Sequence, residues 1–258
     1  MTMQQRSLEG RLALVTGGGR GVGRSIALAL AQDGADVLVN YRRDVDSARK
    51  VVAQIETLGR RSACFRASVD DLQQNCEMMS NIEQEFGPID ILINNAGIAS
   101  RGHSVVDTDP AELSRVLATH AVGPHHLCQL ALPGMRTRER GDIIMISSTA
   151  TRSLNANGAP YNMAKSAMEA LAFTLAKEER GYGIRVNIVA PGLVETEMGS
   201  RLMKAVAGVD SLRQLDDSMP FGHVCQPEDV ANVVRYLVSP QNSYVTGQKV
   251  ICDGGGSI

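Results

Sequence analysis

Residues 12–30 read LALVTGGGRGVGRSIALAL, and this stretch decides the fold. It begins with an apolar run of the length of a buried strand and ends with apolar residues at helical spacing. Between the two lie five glycines, which permit the positive φ angles and close backbone approach of a tight turn. The stretch therefore predicts a strand, a glycine-rich turn and a helix, which together form the first unit of an α/β chain.

The rest of the chain repeats this alternation of short apolar runs and longer helical patterns. The predicted strands are 12–16, 36–41, 62–67, 89–94, 142–147, 185–190 and 249–252. The predicted helices occupy about 22–33, 45–58, 71–86, 110–135, 159–180 and 227–238. Such regular alternation predicts an α/β fold with a doubly wound parallel sheet of about seven strands and helices on both faces. Because no repeat or linker interrupts the pattern, we expect a single domain over residues 1–258.

Residues 192–222 differ from this pattern, since their periodicity is weak and they carry Gly199, Gly208 and Pro220. The segment follows the end of a predicted strand, on the side where open α/β sheets bind ligands. We expect either a lid over a substrate or a plain surface excursion.

The composition argues against several classes of function. Hydrophobic residues make up 43% of the 258 residues and charged residues 21%, as in an ordinary globular protein. The net charge of -2 and the absence of Trp give no indication of a nucleic-acid partner. The polar start MTMQQRSLEG lacks a signal-peptide pattern, and no apolar run approaches ~20 residues. Five scattered cysteines favour reduced thiols over disulfides or a metal site. We expect a cytoplasmic protein with no metal and no membrane partner.

The glycine turn also has a chemical interpretation. Glycines let a pyrophosphate approach the backbone, and the helix that follows offers free N–H groups and a partial positive charge. A tight turn without a ligand is the alternative, but its position in the first βα unit favours a dinucleotide site.

The end of the second strand bears on which dinucleotide binds. The sequence there reads Asn40-Tyr41-Arg42-Arg43, without the acidic residue that often binds a ribose 2′-hydroxyl. Arg42 and Arg43, with Arg20 from the turn, favour the 2′-phosphate of NADP over NAD, because a guanidinium donates two hydrogen bonds at once. The alternative is that these arginines are solvated loop charges.

Tyr161 and Lys165 lie four residues apart in a predicted helix, so the phenol and the ammonium share one face. An unperturbed phenol has a pKa near ~10, and a neighbouring cation lowers it by about 1–3 units. The spacing therefore predicts that Lys165 brings the pKa of Tyr161 closer to neutrality, where an acid/base group works best. We expect Ser148, 13 residues before Tyr161, to hold a carbonyl or alcohol oxygen beside the phenol. Such a Tyr–Lys pair also occurs by chance on many helices.

Several motifs in order make the chain resemble the short-chain dehydrogenase/reductase family. They are the glycine turn, Asn94-Asn95-Ala96-Gly97, Ser148, Tyr161 with Lys165, and Pro191-Gly192. The resemblance covers nearly the whole length, and within the family it is strongest to 3-oxoacyl-acyl-carrier-protein reductases and related NADP-dependent ketoreductases. It implies a Rossmann-type fold, a homotetramer or homodimer, and an enzyme acting on CH–OH groups that transfers hydride between NADPH and a ketone.

The resemblance also implies roles for individual residues. Ser148, Tyr161 and Lys165 match the catalytic group, in which the lysine also holds the nicotinamide ribose. The positions implied in cofactor binding are Thr16, Gly17, Gly19, Arg20, Gly21, Val22, Gly23, Tyr41, Arg42, Arg43, Ser68, Val69, Asn95, Ala96, Gly97, Tyr161, Lys165, Pro191, Gly192, Val194 and Thr196.

Two positions depart from the family pattern. The fourth catalytic member is normally an asparagine in Asn-x-x-Gly, which interrupts a helix and anchors a water beside the lysine; this chain has His120-Ala121-Val122-Gly123. An imidazole can donate and accept, so His120 is expected either to hold that water or to be structural. If it titrates, it adds an inflection near ~6.5 to the pH profile. Ser68 stands where the family commonly has an aspartate for the adenine amino group.

The substrate is the least determined feature. The resemblance favours a 3-oxoacyl thioester of acyl carrier protein or CoA. Arginines in similar regions of those reductases dock the acidic carrier protein, and here Arg136, Arg138, Arg140 and Arg180 are either such a surface or solvated charges. The alternatives are a dehydrogenase of short-chain alcohols, steroids, sugars or specialised metabolites, and a non-catalytic NADP(H)-binding or sensing protein. The presence of Ser148, Tyr161 and Lys165 together favours an enzyme.

Overall fold

A computed structural model describes residues 7–256, apart from the side chains of residues 205–207. Its strands are β1 (Leu12–Val15), β2 (Asp36–Tyr41), β3 (Ser62–Arg66), β4 (Ile91–Asn94), β5 (Gly141–Ile146), β6 (Ile184–Pro191) and β7 (Lys249–Cys252). All pair in parallel, in the order β3-β2-β1-β4-β5-β6-β7. The predicted seven-stranded parallel sheet is confirmed.

Helices cover both faces of the sheet. They are α1 (Gly21–Gln32), α2 (Val45–Thr57), α3 (Leu72–Phe86), α4 (Pro110–Leu117), α5 (Gly123–Met135), α6 (Ala150–Ser153), α7 (Ala159–Glu179), α8 (Glu197–Ala207) and α9 (Pro227–Val238). The core on one face joins the sheet to α1, α2 and α9, and the core on the other face joins it to α3, α5 and α7. Because both faces are covered, β1, β4 and β5 are buried along their whole length, which explains their continuous apolar runs.

The strand order reverses between β1 and β4. The chain runs outward from β1 through β2 to β3, then returns to pair β4 against the other side of β1. Ligands of doubly wound sheets bind in the crevice at this point, outside the carboxyl ends of the strands. The glycine turn after β1 and the segment after β4 both lie there.

Three local features differ from the sequence prediction. The predicted helix over 110–135 is interrupted by a π-helical segment at Ala118–Val122, which separates α4 from α5. The short helix α6 was not predicted. The weakly periodic segment 192–222 contains α8 and the 3₁₀ helices Leu212–Ser218 and Pro220–Gly222.

Two expectations concern the chain's surroundings. Within residues 7–256, no helix combines the length and apolar character needed to span a membrane. Of the polar start that argued against a signal peptide, residues 1–10, the first six lie outside the described residues.

Candidate active site

Thr16 fastens the glycine turn to the loop after β4. Its buried hydroxyl donates to the backbone oxygen of Ile93 (3.1 Å) and accepts from the backbone nitrogens of Asn95 (2.9 Å) and Ala96 (3.0 Å). The Asn95 side-chain nitrogen donates back to the Thr16 oxygen at 2.8 Å. The two loops at the carboxyl edge of β1 and β4 are therefore one hydrogen-bonded unit.

The glycines of the turn are required by geometry. Gly17 and Gly21 adopt φ angles of +60° and +51°. A Cβ on Gly23 would lie 2.4 Å from the Gly17 oxygen and 2.5 Å from the Asn95 side-chain nitrogen. Within the described chain, no side chain caps the start of α1 and its first turn has no acidic residue. The first N–H groups of the helix, which have no partner within it, and the helix dipole there suit an anion.

The three arginines expected to bind a 2′-phosphate differ in whether they already have a partner in the protein. Arg42 and Arg43 are exposed, and neither side chain makes an ion pair or hydrogen bond to the residues described. Arg20 instead binds Glu197 at the start of α8, at 2.6 Å. The Asp44 carboxylate caps α2 through Ser47, whose hydrogen bonds hold its pKa below the ordinary value. Arg42 and Arg43 are thus free to bind a phosphate, whereas Arg20 is already paired.

A carboxylate that was not predicted from the sequence lies beside Ser68. The Ser68 hydroxyl donates to Asp70, and its backbone nitrogen donates to the Gln74 side chain at 2.9 Å. The serine therefore does not stand alone where the family has an aspartate. A carboxylate two residues later lies against it, and no sequence pattern indicated that contact.

Ser148, Tyr161 and Lys165 meet at the carboxyl edge of β5. The Ser148 hydroxyl and the Tyr161 phenol share a hydrogen bond. The buried ammonium of Lys165 donates to the backbone oxygen of Ile146 at 2.6 Å and lies 5.8 Å from the centre of the Tyr161 ring. The structure thus brings together the three residues that the sequence singled out.

The charge states of this group differ from the prediction. Burial raises the pKa of Tyr161 above its ordinary value, and the hydrogen bond with Ser148 offsets only part of that. Burial also lowers the pKa of Lys165 to about 7, although Glu169 opposes the change. The expectation that Lys165 lowers the pKa of Tyr161 is wrong, because burial raises that pKa and the opposing effect comes from Ser148. Desolvation of the phenolate outweighs a cation that itself loses part of its charge near neutral pH.

His120 lies in the π-helical segment and contacts both the loop after β4 and the catalytic tyrosine. Its Nε2 is 2.8 Å from the backbone oxygen and 3.1 Å from the backbone nitrogen of Ile98. A Cβ on Gly97 would lie 2.6 Å from its Cε1, so Gly97 makes room for the ring. The ring packs edge-on against Tyr161, with centroids 5.2 Å apart. Nδ1 is buried and has no partner among the described residues.

The protonation of His120 also corrects a prediction. Burial, with the charge of Lys165, lowers the pKa of His120 to about 3. The imidazole therefore stays neutral near neutral pH, and the inflection near ~6.5 expected from an unperturbed histidine is wrong. Its observed contacts hold the Ile98 loop, and Nδ1 is the only ring nitrogen left to bind a water.

The segment after β6 lies against the glycine turn. Thr196 caps α8 by accepting from the Gly199 nitrogen at 3.1 Å, and a Cβ on Gly21 would lie 3.3 Å from the Thr196 methyl carbon. Val194 is buried and forms an isolated parallel bridge with Cys225. The structure thereby gathers the predicted Pro191–Thr196 segment and the glycine turn at one edge of the sheet.

The arginines considered for carrier docking lie at the opposite edge. Arg136 binds Glu179 through two nitrogens, Arg138 binds Asp90 at 2.7 Å, and Arg140 binds Asp142 at 2.8 Å. These acids are buried; Asp90 and Asp142 lie at the amino ends of β4 and β5, and Glu179 is the last residue of α7. Arg180 is exposed near the same edge. Three of these four arginines therefore form structural ion pairs.

Comparisons with known proteins agree with this geometry. A family model described as enoyl-(acyl carrier protein) reductase matches residues 17–257. The 3-oxoacyl-(acyl-carrier-protein) reductase FabG of Staphylococcus aureus is 36% identical over 244 residues, covering 94% of this chain and 96% of the relative. Tetrahydroxynaphthalene reductase of Pyricularia oryzae is 34% identical over 260 residues, covering 98% and 91%. The crystal structure of the angucycline C-6 ketoreductase LanV with bound NADP is 33% identical, covers 96% of each chain and superposes with a TM-score of 0.86. The chain belongs to the short-chain dehydrogenase/reductase family, whose members are oxidoreductases acting on keto and hydroxyl groups.

Proposed function

We propose that this protein reduces a ketone to a secondary alcohol with NADPH. The observation that carries the proposal is the meeting of the Ser148 hydroxyl, the Tyr161 phenol and the Lys165 ammonium at the carboxyl edge of β5. That edge also holds the glycine turn, so a cofactor seated on the turn and a substrate beside Ser148 would be neighbours.

The residues present fit NADP(H). The turn has no Cβ at Gly23, where one would collide with the Gly17 oxygen, and the uncapped start of α1 suits a pyrophosphate. Arg42 and Arg43 are free for a 2′-phosphate, and Thr196 and Lys165 would hold the nicotinamide end. The bound nicotinamide supplies the hydride.

The chain's own residues supply the proton and stabilise the charge. Because its pKa is raised, Tyr161 keeps its proton at neutral pH and is ready to donate it to the oxygen of a ketone. Ser148 donates to the same oxygen as negative charge develops there. Lys165 has a pKa of about 7 and therefore carries a proton below that pH. It can return this proton to the phenol of Tyr161.

For the substrate we propose 3-oxoacyl thioesters first, supported by the similarity to the acyl-carrier-protein reductase of Staphylococcus aureus. Cyclic or aromatic ketones of specialised metabolism are the second candidate. The ion pairs of Arg136, Arg138 and Arg140 favour this second class of ketone. These side chains already bind carboxylates of the protein itself and are therefore not free to bind a carrier protein.

A substrate panel tests both. We would follow loss of NADPH absorbance with an acetoacetyl thioester of CoA, the same thioester on acyl carrier protein, ethyl acetoacetate and 1-tetralone. Preference for the thioesters supports the first class, and preference for the cyclic ketone supports the second. Tight NADPH binding without turnover of any ketone would instead indicate a binding or sensing protein.

We also propose that the protein assembles as a homotetramer or homodimer, on the basis of the family resemblance alone. Light scattering after size exclusion measures the mass directly. A monomer at the concentrations used for assays would refute this assembly.

A further inference from the structure

Glu169 is a buried carboxylate beside the catalytic group that the proposed reaction does not use. It lies on α7 one turn after Lys165 and two turns after Tyr161, so the three side chains follow one face of the helix. A buried carboxylate needs partners that repay its loss of hydration.

Glu169 binds residues on both sides of Ser148. Its Oε1 accepts from the Ser147 hydroxyl at 2.5 Å and from the Thr151 hydroxyl at 2.8 Å. The Thr151 oxygen also lies 2.9 Å from the Ser148 backbone oxygen, and the Ala150 nitrogen donates to the Ser148 hydroxyl oxygen at 3.2 Å. The catalytic serine therefore sits in a short segment whose two ends are tied to one carboxylate.

Lys249 closes the cluster from β7. Its ammonium is 3.0 Å from Glu169 Oε2 and 2.5 Å from the Thr151 hydroxyl. The Glu169 carboxylate thus has two cations in its surroundings. Lys249 binds it from β7, and Lys165 lies one helical turn away on α7. Among the described residues, groups that face Lys165 include Tyr161 on α7, the neutral His120 on the π-helical segment and the Ile146 oxygen on β5.

We propose that Glu169 is a positioning residue, which fixes the Ser148 segment through Ser147 and Thr151 and acts as the carboxylate partner of the Lys165 ammonium one helical turn away, with Lys249 as its counter-ion. The inference rests on the proposed function for its catalytic consequence. It agrees with the direction in which Glu169 acts on Lys165, raising a pKa that burial lowers.

The test uses the full-length protein and its five lysines, Lys50, Lys165, Lys177, Lys204 and Lys249. Labelling lysine with ¹³C at the ε position gives five signals, which single Lys→Arg variants assign. We expect Glu169→Gln to lower the titration midpoint of Lys165 by about one pH unit, the lower end of the range for an opposite charge nearby. The fall of kcat/KM at rising pH should move by the same amount.

Glu179→Gln is the matched control. Glu179 is also a buried carboxylate on α7, but it pairs with Arg136 at the far end of the helix. Its variant should lose stability without moving the midpoint of Lys165. An unchanged midpoint in Glu169→Gln, or an equal shift in both variants, would overturn the proposal.

Lys249→Met decides the matter if Glu169→Gln fails to fold. Without Lys249, the charge of Glu169 acts on Lys165 alone, so the Lys165 midpoint should rise; a constant or lower midpoint refutes the coupling. If wild-type protein turns over no ketone, the proposed function fails, while the lysine titration still tests the link between Glu169 and Lys165.

Discussion

At the scale of single residues, burial rather than spacing decides the chemistry of the site. Tyr161 and Lys165 share a helix face as their spacing predicts, yet the pKa of the phenol is raised and that of the ammonium is lowered to about 7. Both shifts favour the neutral form of the group, as expected when charge is removed from water. The tyrosine is therefore protonated and suited to reduction at neutral pH.

This has a consequence for the pH dependence of reduction. Lys165 is charged below its pKa of about 7 and neutral above it. If the ammonium supports the proton donor and holds the ribose, kcat/KM for ketone reduction should fall as pH rises through that value, because kcat/KM reports the free enzyme. The measurement is a pH series of kcat/KM for NADPH at saturating ketone, and a profile that rises through the same range would contradict the prediction.

His120 gives a second prediction at this scale. His120→Leu should unfold more easily, by about 1–3 kcal/mol, because the Ile98 backbone group that Nε2 binds, the oxygen or the nitrogen according to the tautomer, loses its partner. His120→Asn keeps a donor and an acceptor, so it should retain more of both stability and turnover. Denaturant unfolding and assays across pH measure the two effects. Because His120 stays neutral, wild type and His120→Asn should have pH profiles of the same shape. A Leu variant equal to wild type would mean that the ring only fills space.

At the scale of elements, the sequence predicts strands better than the segments between them. The bounds of β2 and β7 agree with the prediction to the residue, because each is an apolar or β-branched run with clear ends. Helices α6 and α8 were missed, since one has four residues and the other lies in a segment without clear periodicity. The π-helical segment around His120 was missed as well, because its five residues are too few to show a changed period in the apolar pattern.

The turn between β1 and α1 is testable through Gly23. Alanine there would bring its Cβ within 2.4 Å of the Gly17 oxygen, so we expect Gly23→Ala to lose about 1–3 kcal/mol of stability together with NADPH binding. Gly181→Ala is the control, since nothing lies within 4 Å of a Cβ at that position. Thermal unfolding and cofactor titration compare the two. Equal behaviour would show that the turn relaxes around the methyl group.

The loop after β2 carries the choice of cofactor. If Arg42 and Arg43 bind the 2′-phosphate, replacing both with alanine should raise the KM for NADPH and hardly change that for NADH. Steady-state kinetics with each cofactor provide the comparison. An equal effect on the two cofactors would identify the arginines as ordinary surface charges, and wild-type preference for NADH would refute the assignment without any variant.

At the scale of the whole molecule, the parallel sheet separates two edges with different tasks. The glycine turn, Ser148 and the segment after β6 gather at the carboxyl edge, while Arg136, Arg138 and Arg140 pair with acids at the amino edge. The strand β5 alone sets roughly 20 Å between them. The alternation of elements predicts this arrangement from the sequence, because parallel strands must end at one edge.

Contacts between polar groups that are far apart in the chain could not be predicted from the sequence. Glu169 and Lys249 lie 80 residues apart, and their contact depends on β7 packing beside β6. Arg20 pairs with Glu197 across 177 residues in the same way. The site residues on local motifs were therefore accessible to sequence reasoning, whereas their charge states and supporting contacts required the fold.

The most direct measurement of the central claim is the consumption of NADPH with a ketone by wild type and by Tyr161→Phe. The phenylalanine keeps the ring that packs on His120 and removes only the proton donor. We predict that wild type turns over at least one ketone of the panel and that Tyr161→Phe binds NADPH normally but loses roughly 10²–10⁴-fold in kcat. A variant that binds NADPH normally and turns over like wild type would contradict the account.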